Sequence, residues 1–187
     1  METLALISAV FLLVLVLIFF FLLIASTSVQ ALWMVPFVPT PRAIIDGMVE
    51  FADLKPNQIV YDLGAGDGRV LFAAEKREPT IRGIGYEGAI GVWLLAKLRI
   101  AMRRSKITMR REDFMKNVDF SDADVIFTYL SIASMKKLKP KFDVQLKDGA
   151  RVVTHAFRVP DMVPEKERMV NMPMGRGSRI YSYVWKK

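Results

Sequence analysis

The chain contains no cysteine and only one histidine, and none of its 27 lysines and arginines falls before residue 42. The first absence excludes a disulfide framework and is compatible with either side of a membrane. Nowhere do His and carboxylate residues cluster at ligand spacing, so no metal is expected. The missing early charge is the most informative. Residues 4–24 carry no charged side chain and one hydroxyl, Ser8, and Glu2 is the only acid before Asp46. At 1.5 Å per residue such a run forms about 32 Å of helix, the thickness of a hydrocarbon core. A cleavable signal peptide is the competing reading, because Val29-Gln30-Ala31 offers small residues. Its basic n-region is missing, however, and the apolar run exceeds the roughly 7–15 residues of a signal. The expectation is therefore an uncleaved transmembrane anchor over 1–25, with the lipid bilayer as a partner through residues 4–24.

The formal net charge is +8, and with Glu2 set aside the remainder carries +9. Basic residues flank only the C-terminal side of the apolar run. The positive-inside rule then gives a single-pass membrane protein whose domain faces the cytoplasm, or the mitochondrial matrix in a eukaryote. A basic surface attracts anionic lipid, nucleic acid or acidic protein, and is equally an ordinary solvated exterior. The run RRSKITMRR, residues 103–111, has the same two readings: a solvated helix end, or a contact with anionic headgroups if it faces the bilayer.

Residues 26–41, STSVQALWMVPFVPTP, form a linker. Trp33 suits a membrane interface, and Pro36, Pro39 and Pro41 prevent a continuous helix. Over 42–187 helical and strand periodicities alternate: helix RAIIDGMVEFADL, strand QIVYDL, helix RVLFAAEKR, strand TIRGIGYE, helix IGVWLLAKLRIAMRR, strand KITMRRED, strand DADVIFTYL, helix MKKLKPKFDVQL with an internal proline, and strand GARVVTHAF. The tail reads as two strands around a Gly175-Arg176-Gly177 turn. This alternation predicts an α/β, doubly wound, mostly parallel sheet closed by a C-terminal antiparallel hairpin.

In such sheets ligands bind beyond the carboxyl ends of the strands, where strand order reverses. YDLGAGDGRV lies at such an end, and its glycines allow a sharp turn and close backbone approach. The spacing Gly64, Gly66, Gly68, followed by Arg69, is not the G-x-G-x-x-G of a dinucleotide site. Asp62, two residues before the first glycine, would repel a pyrophosphate and suits a ligand with a cationic amino-acid end. This D-x-G-x-G-x-G pattern resembles the first motif of Rossmann-like S-adenosylmethionine-dependent methyltransferases, and implies S-adenosylmethionine held by Asp62, Gly64, Ala65, Gly66 and Gly68. Glu87, closing the second strand in GIGYEG, is a carboxylate able to accept both ribose hydroxyls. The resemblance places Asp113 and Phe114 near the adenine amino group, and Gly88 beside the ribose contact.

PFVPTP, YDLGAGDGRVLFAA, GYE, DADVIFTYL and GARVVTHAF together resemble one family over residues 36–160. It comprises small membrane-anchored lysine methyltransferases whose animal members modify the mitochondrial adenine nucleotide translocase and the ATP synthase c-subunit. Gly88 departs from the Asn or Asp that such proteins often carry there. The resemblance implies transfer of a methyl group to a lysine amine of a protein, with a membrane protein as the expected partner. Phe37 and Pro39 are expected to shape the substrate pocket with Tyr129, and Tyr129 and Thr40 are the catalytic candidates. His155 sits at the end of the fifth strand, where a proton acceptor and a structural histidine are both admissible. The N/D-P-P-Y/F motif of amino-directed nucleic-acid enzymes is replaced by TYLSIAS, which argues against nucleic acid. A lipid amine, RNA, a small molecule, or a non-catalytic S-adenosylmethionine-binding adaptor remain the alternatives.

Overall fold

A computed structural model describes residues 2–32, 38–172 and 175–186. The chain divides into two compact units, Met1–Phe37 and Val38–Lys187. The first contains one helix, α1 (Glu2–Leu32). Its side chains are described over residues 7–22, all exposed. Among the described residues no helix is long and apolar enough to cross a membrane. That finding overturns the transmembrane helix expected in the fold, and with it the single-pass membrane localisation.

The second unit alternates helices and strands: α2 (Arg42–Ala52), β1 (Ile59–Leu63), α3 (Arg69–Arg77), β2 (Arg82–Tyr86), α4 (Ile90–Arg103), β3 (Thr108–Arg110), β4 (Val125–Thr128), α5 (Ile132–Gln145), β5 (Arg151–His155), β6 (Lys166–Met172) and β7 (Gly175–Val184). The sheet has seven strands in the order β3-β2-β1-β4-β5-β7-β6. The first five are mutually parallel, and β7 runs antiparallel to both β5 and β6. The chain leaves β1 toward β2 on one side and returns to β4 on the other, so strand order reverses at β1.

Strand alternation assigns the two faces. Val60, Val125, Phe127, Val153 and Ile180 join residues of α2 and α3 in one buried cluster. Tyr61 points the other way, meeting Phe120 edge-to-face at 5.9 Å; Phe120 meets Phe142 of α5, which in turn meets Trp185. Each such buried ring or branched side chain contributes about 1.5–3 kcal/mol. α5 begins at Ile132, ahead of the expected Met135, because the Ser131 hydroxyl accepts the Ser134 amide and caps it. Pro140 lies inside α5 without ending it. Met135, Leu138 and Phe142 are buried at helical spacing around it, and that packing offsets the lost backbone bond. The expected Gly175-Arg176-Gly177 turn is instead the start of β7: Gly175 pairs with Met172 across the hairpin.

Candidate active site

The carboxyl ends of β2, β1, β4 and β5 lie side by side. Leu63 pairs with Tyr86 on one side and Thr128 on the other, and Thr128 pairs with Thr154. The segments leaving these strands are thereby assembled: the glycine turn after β1, Glu87 after β2, Tyr129 after β4 and Phe157 after β5.

Gly64, Gly66 and Gly68 all adopt positive φ, at 77°, 58° and 82°, a region costly for other residues. The amides of Gly64 and Ala65 both donate to the Tyr86 carbonyl, at 3.0 and 2.9 Å. A side chain at Gly85 would meet Ala65 Cβ at 2.8 Å, so the bare backbone of β2 is what lets the turn settle. The Glu87 carboxylate accepts the Gly66 amide at 3.0 Å and the Ala89 amide at 2.8 Å. Burial pushes its pKa up against those hydrogen bonds. Two carboxylate oxygens offer about four acceptor positions, so Glu87 retains capacity for hydroxyl donors.

Asp62 is 4% exposed and its Oδ2 has no hydrogen-bond partner. Burial, then the nearby Glu87 and Asp67 carboxylates, raise its pKa to about 8. An orphaned buried carboxylate beside an open glycine turn fits a ligand that brings a cation or hydrogen-bond donors. It fits a pyrophosphate poorly.

Sequence reasoning missed a second group. Asp67 is 1% exposed and receives Arg69 through Nε at 2.8 Å and a terminal nitrogen at 2.7 Å. Arg99 of α4 pairs with the same carboxylate. Burial alone would raise the Asp67 pKa, but Arg69 and Arg99 outweigh it and hold the carboxyl below its usual range. The other terminal nitrogen of Arg69 donates to the Thr40 carbonyl at 3.1 Å, tying the segment before α2 to the glycine turn. The signal was GDGR itself, two opposite charges inside a glycine turn. Arg99 gave none, being 32 residues away from Asp67.

The other expected residues take varied positions. Thr40 is buried and Pro39 exposed on the segment that Arg69 holds, while Phe37 lies outside the described residues. Gly88 is exposed, and a Cβ there would meet nothing within 4 Å. The Asp113 carboxylate accepts the Met115 amide at 3.0 Å and faces Lys116 at 3.7 Å. The Phe114 carbonyl accepts Lys141 Nζ at 3.2 Å, and the half-buried Phe114 and Asp113 lie on the loop after β3. Tyr129 meets His155 at a tilt of 39° with ring centroids 4.1 Å apart, and lies nearly parallel to Phe157 at 6.3 Å. His155 Nε2 bonds the Ser178 hydroxyl at 2.9 Å, Nδ1 has no partner, and burial lowers the imidazole pKa to about 4. Among the described residues no group of three or more His, Cys, Asp or Glu is arranged to hold a metal ion. Two surface grooves of about 480 and 450 Å³ lie elsewhere. One is between α2 and β6, the other beside residues 158–163, and neither is lined by the glycine turn.

Comparison with known proteins gives these features a common origin. The ANTKMT methyltransferase domain matches residues 62–166, more than half of the chain. A protein-lysine N-methyltransferase of Saccharolobus islandicus (strain REY15A) is 34% identical over 154 residues, covering 80% of this chain and 93% of that protein. The human lysine N-methyltransferase named for the ATP synthase c-subunit is 29% identical over 133 residues, 70% of this chain and 55% of its own length. Among solved structures, an RNA methyltransferase of Salinibacter ruber in complex with S-adenosyl-L-homocysteine superposes with a TM-score of 0.71 at 30% identity. It covers 80% of this chain and 95% of that one. The chain thus belongs to the ANTKMT methyltransferase domain family, a family of S-adenosylmethionine-dependent methyltransferases.

Proposed function

We propose that the chain methylates the side-chain amine of a lysine in a protein. The observation that carries this reading is the aromatic pair Tyr129 and Phe157, nearly parallel at 6.3 Å at the strand ends beside the glycine turn. The two rings offer walls for an aliphatic stem ending in an amine. S-adenosylmethionine supplies the electrophilic methyl on a sulfonium, and fits a site whose acceptors are Asp62 and Glu87 with Gly64, Ala65, Gly66 and Gly68 as its floor. Asp113, Phe114 and Gly88 are proposed to border the adenosine, and Thr40 and Pro39 to cover the methyl-donor end.

The chain's own residues have two tasks. One is alignment of the amine with the methyl, the main demand of such a transfer. The other is delivery of a neutral amine, which apolar and aromatic walls favour by disfavouring the ammonium form. The neutral imidazole of His155 under Tyr129 adds no charge to that slot. Resemblance to the Saccharolobus lysine methyltransferase supports the protein-lysine acceptor. The finer reading, a lysine of a membrane protein, is supported by the relatives named for the ATP synthase c-subunit and adenine nucleotide translocase. RNA is the second reading, favoured by the Salinibacter structure.

The test incubates the full chain with labelled-methyl S-adenosylmethionine and, separately, host membranes, soluble extract, RNA and extracted lipid. Tyr129→Ala and an Asp62→Ala, Glu87→Ala double variant run alongside. Methyl-lysine recovered from a membrane-fraction protein, lost with both variants, is the expected result. Label in RNA or lipid overturns the acceptor and keeps the cofactor. No label anywhere despite measured cofactor binding overturns catalysis.

A further inference from the structure

α4 is turned almost inside out. Of its residues only Ala96 is buried, while Trp93 and Ile100 pack partly against the core cluster. The opposite side carries Ile90, Leu94, Leu98 and Met102, exposed by 51, 54, 57 and 72%. These positions recur every four residues and lie one above the next along one helix face. Leu95 borders them, 40% exposed. The outward stripe contains no charged residue, the reverse of a surface helix that feeds a core. A contiguous apolar surface of this kind on a folded unit marks a contact site.

Charge selects the occupant. Residues 88–111 contain seven lysines and arginines and no acid. Arg99 is engaged by Asp67 and Arg103 lies over the Phe72 ring at 4.4 Å. Lys97, Arg104, Lys106 and Arg111 are exposed around the stripe and beyond its end. An apolar helix face rimmed by bases matches a helix lying in the plane of an anionic bilayer, its side chains in the acyl boundary and its cations among headgroups. A second copy on the same face would bring the two basic rims together, and nucleic acid has no use for four aliphatic side chains.

We propose that the outer face of α4 docks the methyltransferase unit onto an anionic lipid surface. The contact is peripheral and independent of α1. It begins at the rim of the cofactor site, since Glu87 accepts the amide of Ala89 immediately before α4.

Absence of cysteine from the chain makes a local test direct. Leu98→Cys in the full chain is labelled with an environment-sensitive fluorophore. Lys137→Cys on α5, exposed, provides the reference position. Vesicles of phosphatidylcholine with about one-third phosphatidylglycerol are expected to raise emission at position 98 several-fold, with a blue shift, and to leave position 137 unchanged. The response falls with pure phosphatidylcholine and with rising ionic strength, as screening requires. Water-like emission at position 98 while the chain co-sediments with vesicles overturns the proposal. A blue shift that tracks protein concentration without lipid also overturns it, and assigns the face to a second copy.

Discussion

Asp67→Asn tests whether one buried carboxylate holds the site together. The wild-type side chain is 2% exposed and receives two guanidinium groups, each about a third exposed. Removing one partner of a fully buried ion pair costs roughly 3–5 kcal/mol, and the solvent reaching Arg69 and Arg99 screens that to about 2 kcal/mol. For a unit of this size the expected fall in Tm is about 4–8 °C at pH 7. The sign with pH comes from the carboxyl being held below its usual range. Its stabilisation is complete above the unfolded pKa of about 3.9 and disappears as pH falls through the lower folded value. Thermal unfolding of both proteins from pH 7 to pH 2.5 should therefore show the gap closing at the acid end, since every other carboxylate is common to the pair. Equal Tm values at pH 7, or a gap that stays constant into acid, would refute the reasoning. Because Arg69 also holds the Thr40 carbonyl, the variant should bind S-adenosylmethionine several-fold more weakly by calorimetry.

Asp62→Asn should do the opposite to stability. A carboxyl raised to about 8 favours its protonated form in the fold, so its cost to stability accumulates as pH rises from the unfolded pKa of about 3.9 and is complete above the folded value. The variant should melt higher than wild type at pH 8 by scanning calorimetry, yet bind S-adenosylmethionine at least tenfold more weakly; a lower Tm would contradict the assignment. His155 has a folded pKa of about 4 against about 6.5 unfolded, so its neutral form contributes stability that is complete above pH 6.5 and lost toward pH 4, at most about 3 kcal/mol. Replacing it in His155→Gln should flatten the denaturation midpoint over that window, and an unchanged slope would show that the imidazole is solvated.

The order of helices and strands was legible because short apolar runs and helical periods alternate along the chain, and strand period alone puts Val60 and Tyr61 of β1 on opposite faces. The turn after β1 was legible for a different reason: glycines at every second position anticipate a backbone that other residues adopt only at a cost, and all three take positive φ. The apolar run over residues 4–24 is also plain in the sequence, but the spanning anchor read from it is not upheld: among the described residues no helix is long and apolar enough to cross a membrane. α5 starts earlier than its apolar periodicity suggests because Ser131 caps it, and Gly175 extends β7 because the hairpin pairs it with Met172.

Local pattern in the sequence determined which residues could form strands, helices and the glycine turn, since those depend on neighbours a few positions away. Only the tertiary structure decided that Asp67 would meet Arg99 across 32 residues of chain, that Tyr129 would meet both His155 and Phe157, and that α4 would turn its leucines outward. Those contacts depend on how the sheet orders its strands and which helix face it buries, and no short window of sequence contains that information.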